Sequence, residues 1–198
     1  PSTETLVENA LDFLKTATVA KPIILDIGTG SGNVAVSLAY HNPGAVVYSV
    51  DSSLKALDVA RKNTDEISKK RPEKNILPRI HLVHGDMFEA FPSALIGSVS
   101  LVISNPPYVT PEEWNELMDG VRLFEPKDAL VYKKGAEKMY EIIASEAMIY
   151  LRWGGSLMSE IGSKQGVMVK KTYERAGLLD VETVKDVEGH DRVVMGIK

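Results

Sequence analysis

Cysteine is absent from the 198 residues of this sequence. Disulfides, thiolate metal sites and cysteine nucleophiles are therefore excluded, and any catalysis has to rest on other side chains. Long apolar runs are also missing, because runs such as residues 99–103 are only about five residues long, whereas a membrane helix needs roughly 20. We find no secretory signal and expect no membrane partner.

An excess of basic residues is missing as well. Lys and Arg number 23 against 27 Asp and Glu, which gives a net charge of -4 and a pI near 5.6. Tight binding to nucleic acid comes from the neutralisation of many phosphates, so we expect no direct nucleic-acid partner. With 44% hydrophobic residues, the chain can close a substantial core, and we expect a single domain over residues 1–198 that acts as a monomer.

The chain enters a helical pattern almost at once. Ser2 and Thr3 are candidate caps, and apolar residues then recur at helical spacing until a helix end near Thr16. Because nothing leads into this helix, we expect that another segment precedes Pro1 in the natural protein.

Short apolar runs alternate with helical patterns along the rest of the chain, which is typical of βαβ units. The predicted strands are 23–27, 46–50, 80–84, 99–104, 156–161, 181–187 and 192–197, and the predicted helices are 33–40, 54–63, 137–151 and 165–176. Residues 68–78 are predicted to be a solvated connector, and Gly154 and Gly155 a turn. The irregular segment 105–135 is longer than loops usually are unless they carry function.

This order predicts an α/β fold. Continuous apolar strands between amphipathic helices indicate a mostly parallel seven-stranded sheet with helices on both faces. The last two strands are predicted to form a C-terminal antiparallel hairpin across residues 188–191.

The first strand leads into a glycine-rich turn, Asp26-Ile27-Gly28-Thr29-Gly30-Ser31-Gly32. Glycine lets the backbone turn tightly and lets a ligand approach it closely. Dinucleotide enzymes and methyltransferases share such turns, and a purely structural turn is a third interpretation. The Gly-x-Gly-x-x-Gly spacing of pyrophosphate sites is missing. Together with an acid two residues before the first glycine, this favours S-adenosylmethionine, with Asp26, Ile27, Gly28, Thr29 and Gly30 as candidate contacts.

Two more acids follow the next predicted strands. Asp51 comes 23 residues after Gly28, where a carboxylate can accept both ribose hydroxyls of a nucleoside; the alternative is a helix N-cap. Asp86 and Met87 follow the third strand, where they would meet the adenine amino group and the ring face. Asp26, Asp51 and Asp86 should therefore share one edge of the sheet and suit a ligand with a positive sulfonium and amine.

The fourth strand ends in Asn105-Pro106-Pro107-Tyr108. Residues before proline adopt extended angles, so the carbonyl groups here are held rigidly. The nitrogen of a planar amide or aromatic amine is a poor nucleophile, and positioning must supply most of the catalysis. We predict that the Asn105 side-chain oxygen and the Pro106 carbonyl each accept one N-H of the substrate, while Tyr108 packs on its plane.

These pieces together resemble the HemK/PrmC family, protein-glutamine N-methyltransferases with a Rossmann-like class I S-adenosylmethionine-dependent fold that modify the Gly-Gly-Gln loop of class I peptide release factors. The resemblance rests on the glycine turn, the Asn-Pro-Pro-Tyr motif, and the segments 1–7, 124–126, 129–130, 160–162, 165–166 and 189–193.

The resemblance implies several site residues and a cellular place. It puts cofactor contacts on residues 26–30, Asp51, Met87 and Asn105, glutamine contacts on residues 105–108, and Glu125 at the substrate mouth. Relatives of the bacterial type carry an N-terminal helical domain that grips the release factor, which this sequence lacks. Cytoplasm is the implied compartment, with the mitochondrial matrix as the alternative. The four histidines show no metal-ligand spacing, and we expect no metal.

Two other functions remain open at this point. Amino methyltransferases acting on adenine N6 or guanine N2 of nucleic acid also use Asn-Pro-Pro-Tyr, although the acidic charge disfavours them. A catalytically silent cofactor-binding scaffold is a third interpretation, disfavoured because the expected catalytic positions are intact.

Overall fold

The computed structural model describes residues 2–107 and 135–198. Its strands are β1 (Ile23–Ile27), β2 (Val46–Asp51), β3 (Ile80–His84), β4 (Val99–Ser104), β5 (Leu151–Glu160), β6 (Leu179–Lys185) and β7 (Asp191–Ile197). They form one sheet in the order β3-β2-β1-β4-β5-β7-β6. Strands β1 to β5 pair in parallel, and β7 is antiparallel to both β5 and β6. The predicted α/β sheet with a C-terminal hairpin is confirmed.

Helices cover both faces of this sheet. One face packs against α1 (Ser2–Thr16), α2 (Asn33–His41) and α3 (Leu54–Lys70). The other packs against α4 (Ala136–Tyr150) and α5 (Gly166–Arg175). All six residues of β4 are buried, as expected for a central strand covered on both sides.

The strand order reverses between β1 and β4. The chain leaves β1 toward β2 and β3 on one side, while β4 leads to β5 on the other. At such a switch point, open α/β sheets bind ligands beyond the carboxyl ends of the strands. We call this edge, formed by the last residues of β1 to β5 and the residues that directly follow them, the carboxyl edge.

The third helix is longer than predicted. It runs to Lys70, so residues 68–70 of the predicted connector are helical, and short 3-10 turns occupy Pro72–Lys74 and Leu77–Arg79. The partly buried Ile67 continues the apolar side of the helix beyond the predicted end at residue 63. Pro72 finally stops the helix.

The fifth strand begins earlier than predicted. Residues 151–155 belong to β5, and the predicted Gly154-Gly155 turn is an irregularity inside the strand, between the pairs Val99–Leu151 and Leu101–Ser156. The Gly154 N-H donates to the Lys198 carbonyl and the Lys198 N-H to the Gly155 carbonyl, both at 2.9 Å. Pairing with the end of the chain therefore holds this segment extended.

The first strand of the hairpin lies two residues before its predicted position, and β7 begins one residue earlier than predicted and ends where predicted. Strand β6 occupies Leu179–Lys185 in place of residues 181–187. The turn is closed by the Asp186 N-H, which donates to the His190 carbonyl at 2.9 Å.

Among the described residues, no helix combines the length and the apolar composition that a membrane span needs.

Candidate active site

The turn after β1 holds its glycines in left-handed conformations. Gly28, Gly30 and Gly32 have φ of 75°, 55° and 82°, which L side chains rarely adopt. A Cβ on Gly32 would lie 2.9 Å from the Ala60 Cβ of α3, whereas one on Gly28 or Gly30 would meet no atom of the described residues within 4 Å. Gly32 is thus required for the packing of the turn against α3. At Gly28 and Gly30 the backbone carries no side chain, so a ligand can approach it closely.

Hydrogen bonds to β2 fix the shape of this turn. The N-H groups of Gly28 and Thr29 both donate to the Val50 carbonyl at 3.0 Å. The Gly30 N-H donates to Oδ2 of Asp51 at 2.9 Å. The glycine turn and the end of β2 therefore form one rigid unit before any ligand arrives.

Asp51 joins the turn to α3 without capping that helix. Its Oδ1 accepts the Ser53 N-H at 2.8 Å, and the N-cap of α3 is Ser53, whose hydroxyl accepts the Ala56 N-H at 3.3 Å. The N-cap interpretation of Asp51 is therefore wrong. A carboxylate offers about four lone-pair sites, and the side chain is partly exposed, so Asp51 can still accept hydrogen bonds from a ligand.

Asp26 is buried at the end of β1, with 1% of its surface exposed. The Thr29 hydroxyl donates to its Oδ2 at 2.6 Å. Burial raises the pKa of Asp26 to about 6, and the Asp51 charge adds to this rise, while the Thr29 and Ser49 hydroxyls oppose it. Among the described residues the Ser49 hydroxyl has no hydrogen-bond partner, and it opposes the rise less than the Thr29 hydroxyl does. A cationic ligand nearby would favour the ionised carboxyl.

The turn after β3 lies beside Asp51. The Gly85 N-H donates to the Asp51 carbonyl at 3.1 Å, and the next residue, Asp86, is exposed. Met87 has a left-handed φ of 42° and packs partly buried against the core on the α4 face. Such strain in a non-glycine residue often marks a functional site. Asp26, Asp51 and Asp86, at the ends of β1, β2 and β3, thus share the carboxyl edge, as predicted.

The Asn-Pro-Pro turn leaves the sheet next to the glycine turn. Ile27 and Ser104 are partners in the parallel pairing of β1 and β4, and the Ser104 hydroxyl donates to the Ile27 carbonyl at 2.9 Å. Gly28 and Asn105 are therefore the next residues on neighbouring strands. The cofactor candidates and the proposed amide-binding residue meet at the switch point.

A hydrogen-bonded chain behind Asn105 was not foreseen. Asn105 Nδ2 donates to the Thr3 hydroxyl at 3.3 Å, and that hydroxyl donates to Oε2 of Glu160 at 3.0 Å. Glu160 is buried at the end of β5. Thr3 and Glu160 lie within segments that carry the family resemblance, which was the available signal, but their separation of 157 residues hides the contact.

Part of the predicted site lies outside the described residues. This applies to Tyr108 and Glu125, and also to the segments 124–126 and 129–130. Packing of Tyr108 on the substrate and a role for Glu125 at the substrate mouth stay predictions.

A groove of about 690 Å³ runs along α1 and α2. Thr3 lines it, together with Val7, Leu11 and the exposed acids Glu4 and Glu8. Because Thr3 also contacts Asn105, the groove ends beside the Asn-Pro-Pro turn. Its acidic rim is unfavourable for a phosphate backbone.

One group of possible metal ligands occurs among residues 2–107 and 135–198, namely Asp186, Glu188 and His190 in the hairpin turn. The Asp186 carboxylate accepts two hydrogen bonds from Arg192, at 3.0 and 3.1 Å. It also accepts the N-H groups of Glu188 and His190, both at 3.0 Å. These hydrogen bonds close the hairpin turn, and they explain why the three side chains lie close together.

Several known proteins are similar to this chain. A release factor glutamine methyltransferase of Chlorobaculum tepidum is 38% identical over 196 residues, which are 97% of this chain and 64% of that protein. The chain spans only 64% to 66% of the length of the first curated relatives it matches. The resemblance seen in the sequence is thus confirmed as a similarity along nearly the whole chain.

Solved structures share the fold. A methyltransferase from Pyrococcus furiosus is 18% identical with a TM-score of 0.66, over 97% of this chain and 82% of that one. A release factor-specific protein-(glutamine-N5) methyltransferase from Alicyclobacillus acidocaldarius is 27% identical with a TM-score of 0.55, over 98% of this chain and 90% of that one. The family described as methyltransferase small domain matches residues 3–136, and the chain belongs to this family.

Proposed function

We propose that this chain transfers a methyl group from S-adenosylmethionine to the side-chain amide nitrogen of the glutamine in the Gly-Gly-Gln loop of a class I peptide release factor. The observation that carries the proposal is the pairing of Ile27 with Ser104, which sets the glycine turn beside Asn105. The names of its relatives support the substrate. Such a substrate places the enzyme in the cytoplasm, or in the mitochondrial matrix.

The carboxyl edge fits the proposed cofactor. Bare backbone at Gly28 and Gly30 leaves room for a ligand, and the acids offer negative charge to a sulfonium and an ammonium. We assign Asp26 and the backbone of residues 27–30 to the amino-acid end of the cofactor, Asp51 to the ribose hydroxyls, and Asp86 and Met87 to the adenine. Bound there, S-adenosylmethionine would supply an electrophilic methyl group.

The chain's own task is to orient a weak nucleophile. Because Asn105 Nδ2 is directed to Thr3, Oδ1 lies on the other side of the amide and can accept one N-H of the substrate glutamine. The Pro106 carbonyl would accept the second. Both bonds aim the nitrogen at the methyl group, and positioning of this kind can replace deprotonation before transfer. Tyr108 would pack on the amide plane, and Glu125 would shape the substrate mouth.

A nucleic-acid substrate fits the structure less well. The net charge is -4, and Glu4 and Glu8 stand on the rim of the groove beside the Asn-Pro-Pro turn. Among the described residues that line this groove there is no Lys or Arg, and a phosphate backbone is bound mainly by such residues.

The test is a labelling experiment with radioactive S-adenosylmethionine. We would incubate the chain with a class I release factor, with its Gln→Ala variant in the Gly-Gly-Gln loop, and with bare DNA or RNA. Label on the intact factor and none on the variant supports the proposal. Label on nucleic acid would favour the alternative, and no transfer to any substrate with cofactor bound would favour a silent scaffold.

A further inference from the structure

We infer that Thr3 and Glu160 are positioning residues that decide which end of the Asn105 amide faces the methyl acceptor. The inference rests on the proposed function in one respect, since it takes Asn105 as the residue that binds the acceptor nitrogen. It adds two residues, one from the first turn of α1 and one from the end of β5, that act on the reaction only through Asn105.

The direction of the hydrogen bonds sets the orientation. A carboxylate only accepts, so the single Thr3 proton is used on Glu160 Oε2 at 3.0 Å. Toward Asn105 the hydroxyl can then only accept, and only the Nδ2 end of the amide can donate to it, at 3.3 Å. In the reversed amide, Oδ1 would face the Thr3 hydroxyl oxygen. Both are acceptors in this arrangement, because the Thr3 proton is donated to Glu160, so no hydrogen bond could form.

The orientation matters because the two ends of an amide have opposite hydrogen-bonding roles. A substrate NH2 group needs an acceptor, which Oδ1 provides and Nδ2 does not. A reversed Asn105 would meet the substrate with a second donor. Without the Thr3 hydroxyl, a fraction of the enzyme molecules would hold the Asn105 amide reversed at any moment. That fraction would be inactive.

Both positioning residues are held independently of Asn105. The carbonyl of Glu160 accepts the Tyr140 hydroxyl at 3.1 Å, and β5 pairs on its other side with β7. Thr3 lies on α1, which is anchored by the fully buried Leu6 and Ala10. The core therefore holds the backbone of Thr3 and Glu160, and the bonds between their side chains and Asn105 orient the amide.

The first test compares substitutions at Thr3. Thr3→Val keeps the shape and removes the hydroxyl, so we expect kcat to fall by at least about twofold, because the Asn105 amide then has no favoured end on this side, with the KM for S-adenosylmethionine unchanged. Thr3→Ser restores the hydroxyl and should recover most of the activity. Thr5→Val makes the same chemical change two residues along α1, at a side chain outside this chain of bonds, and should equal the wild type.

The second test asks whether Thr3 acts through Asn105. In the background of Asn105→Ala the amide is gone, so Thr3→Val should cause no further loss of kcat. A loss that is the same in both backgrounds would mean a general structural role and would overturn the inference. So would wild-type kcat in Thr3→Val, or a failure of Thr3→Ser to recover.

Glu160→Gln tests the direction of the bonds without removing side-chain volume. A Gln amide can donate to Thr3, which frees the hydroxyl proton for Oδ1 of a reversed Asn105. We expect kcat to fall in Glu160→Gln, and the loss to disappear in the background of Asn105→Ala. A loss of kcat that persists in the background of Asn105→Ala would contradict the assigned direction, because it could not arise from a reversed Asn105 amide.

A readout without substrate separates this inference from the proposed function. In protein labelled with 15N at asparagine, the side-chain NH2 signal that disappears in Asn105→Ala belongs to Asn105. It should shift in Thr3→Val and Glu160→Gln and stay in place in Thr5→Val. The kcat of each variant is compared with that of the wild type on whichever substrate the wild-type chain methylates. If that substrate is nucleic acid, the release-factor proposal is refuted, and the same comparison still tests the positioning role of Thr3 and Glu160.

Discussion

The Asp26 carboxyl lies where ionisation is costly. Its pKa is about 6 in the folded chain against an ordinary 3.8, chiefly because of burial. The folded state therefore binds a proton that the unfolded state has already released between about pH 4 and pH 6. The contribution of Asp26 to stability therefore falls as the pH rises through this range and is then constant, and at pH 7 it amounts to a cost of about 3 kcal/mol.

Asp26→Asn should remove this cost. We expect the free energy of unfolding at pH 7 to rise by up to about 3 kcal/mol and its decrease between pH 4 and pH 6 to flatten. The Thr29 hydroxyl can still donate to the Asn oxygen, and the unsatisfied Ser49 hydroxyl on the neighbouring strand can accept from the new amide. Urea denaturation at several pH values measures the effect.

The same substitution should weaken the binding of S-adenosylmethionine, because it removes a negative charge opposite a cationic ligand. Calorimetric titration checks this. Asp12→Asn, at an exposed residue of α1 that pairs with Lys15, is the control and should change neither property. An Asp26→Asn protein no more stable than wild type at pH 7 would show that the buried carboxyl carries no such cost.

Asn105→Ala should lose turnover and keep the cofactor. Removal of one preorganised hydrogen bond to the reacting group slows catalysis by roughly a hundredfold to a thousandfold, and the glycine turn is untouched. Single-turnover labelling and calorimetry separate the two properties. Asn9→Ala, at a residue whose side chain donates to the Thr5 carbonyl within α1, serves as the control. Wild-type turnover in Asn105→Ala would refute its role.

At the scale of elements, the glycine turn offers a comparison between two open glycines. Gly30 and Gly97 have φ of 55° and 69°, and a Cβ on either would meet nothing within 4 Å in the part of the chain that the structure describes. Alanine at each should therefore cost the same backbone strain, about 1–2 kcal/mol. Only Gly30→Ala should also weaken S-adenosylmethionine binding, because its Cβ would occupy the space proposed for the ligand.

Thermal unfolding and calorimetric titration of the two variants measure strain and binding separately. Equal cofactor affinity in Gly30→Ala and Gly97→Ala would place the ligand elsewhere. Gly32→Ala is a third case, since its Cβ would approach the Ala60 Cβ at 2.9 Å; it should be less stable than both.

Elements whose causes are local were predictable from the sequence. Apolar runs and the glycines after β1 gave the parallel strands and the order of the motifs, because burial and left-handed turns leave a pattern within a few residues. The start of β5 was not predictable, since Gly154 and Gly155 are held extended by Lys198. The contacts of Thr3 with Asn105 and Glu160 were not predictable either, because they also join residues that are far apart in the sequence.

At the scale of the whole molecule, one sheet joins two separate cores. Ile24 and Leu25 are consecutive residues of β1, both fully buried, yet Ile24 packs with α1 and α2 and Leu25 with α4 and α5. The carboxyl edge takes its residues from strands shared by both cores. We therefore expect the two faces to unfold together, since loss of either core exposes β1.

Ile24→Ala and Leu25→Ala test this coupling. Each should lower the free energy of unfolding by about 2–5 kcal/mol, and each should speed the most protected hydrogen exchange equally in α1 and α4. Val187→Ala, at a fully exposed residue of the hairpin, should change exchange in neither. If Ile24→Ala affected exchange only in α1 to α3, the faces would be independent units, and a cofactor bound at the carboxyl edge would stabilise only the face that holds its contacts.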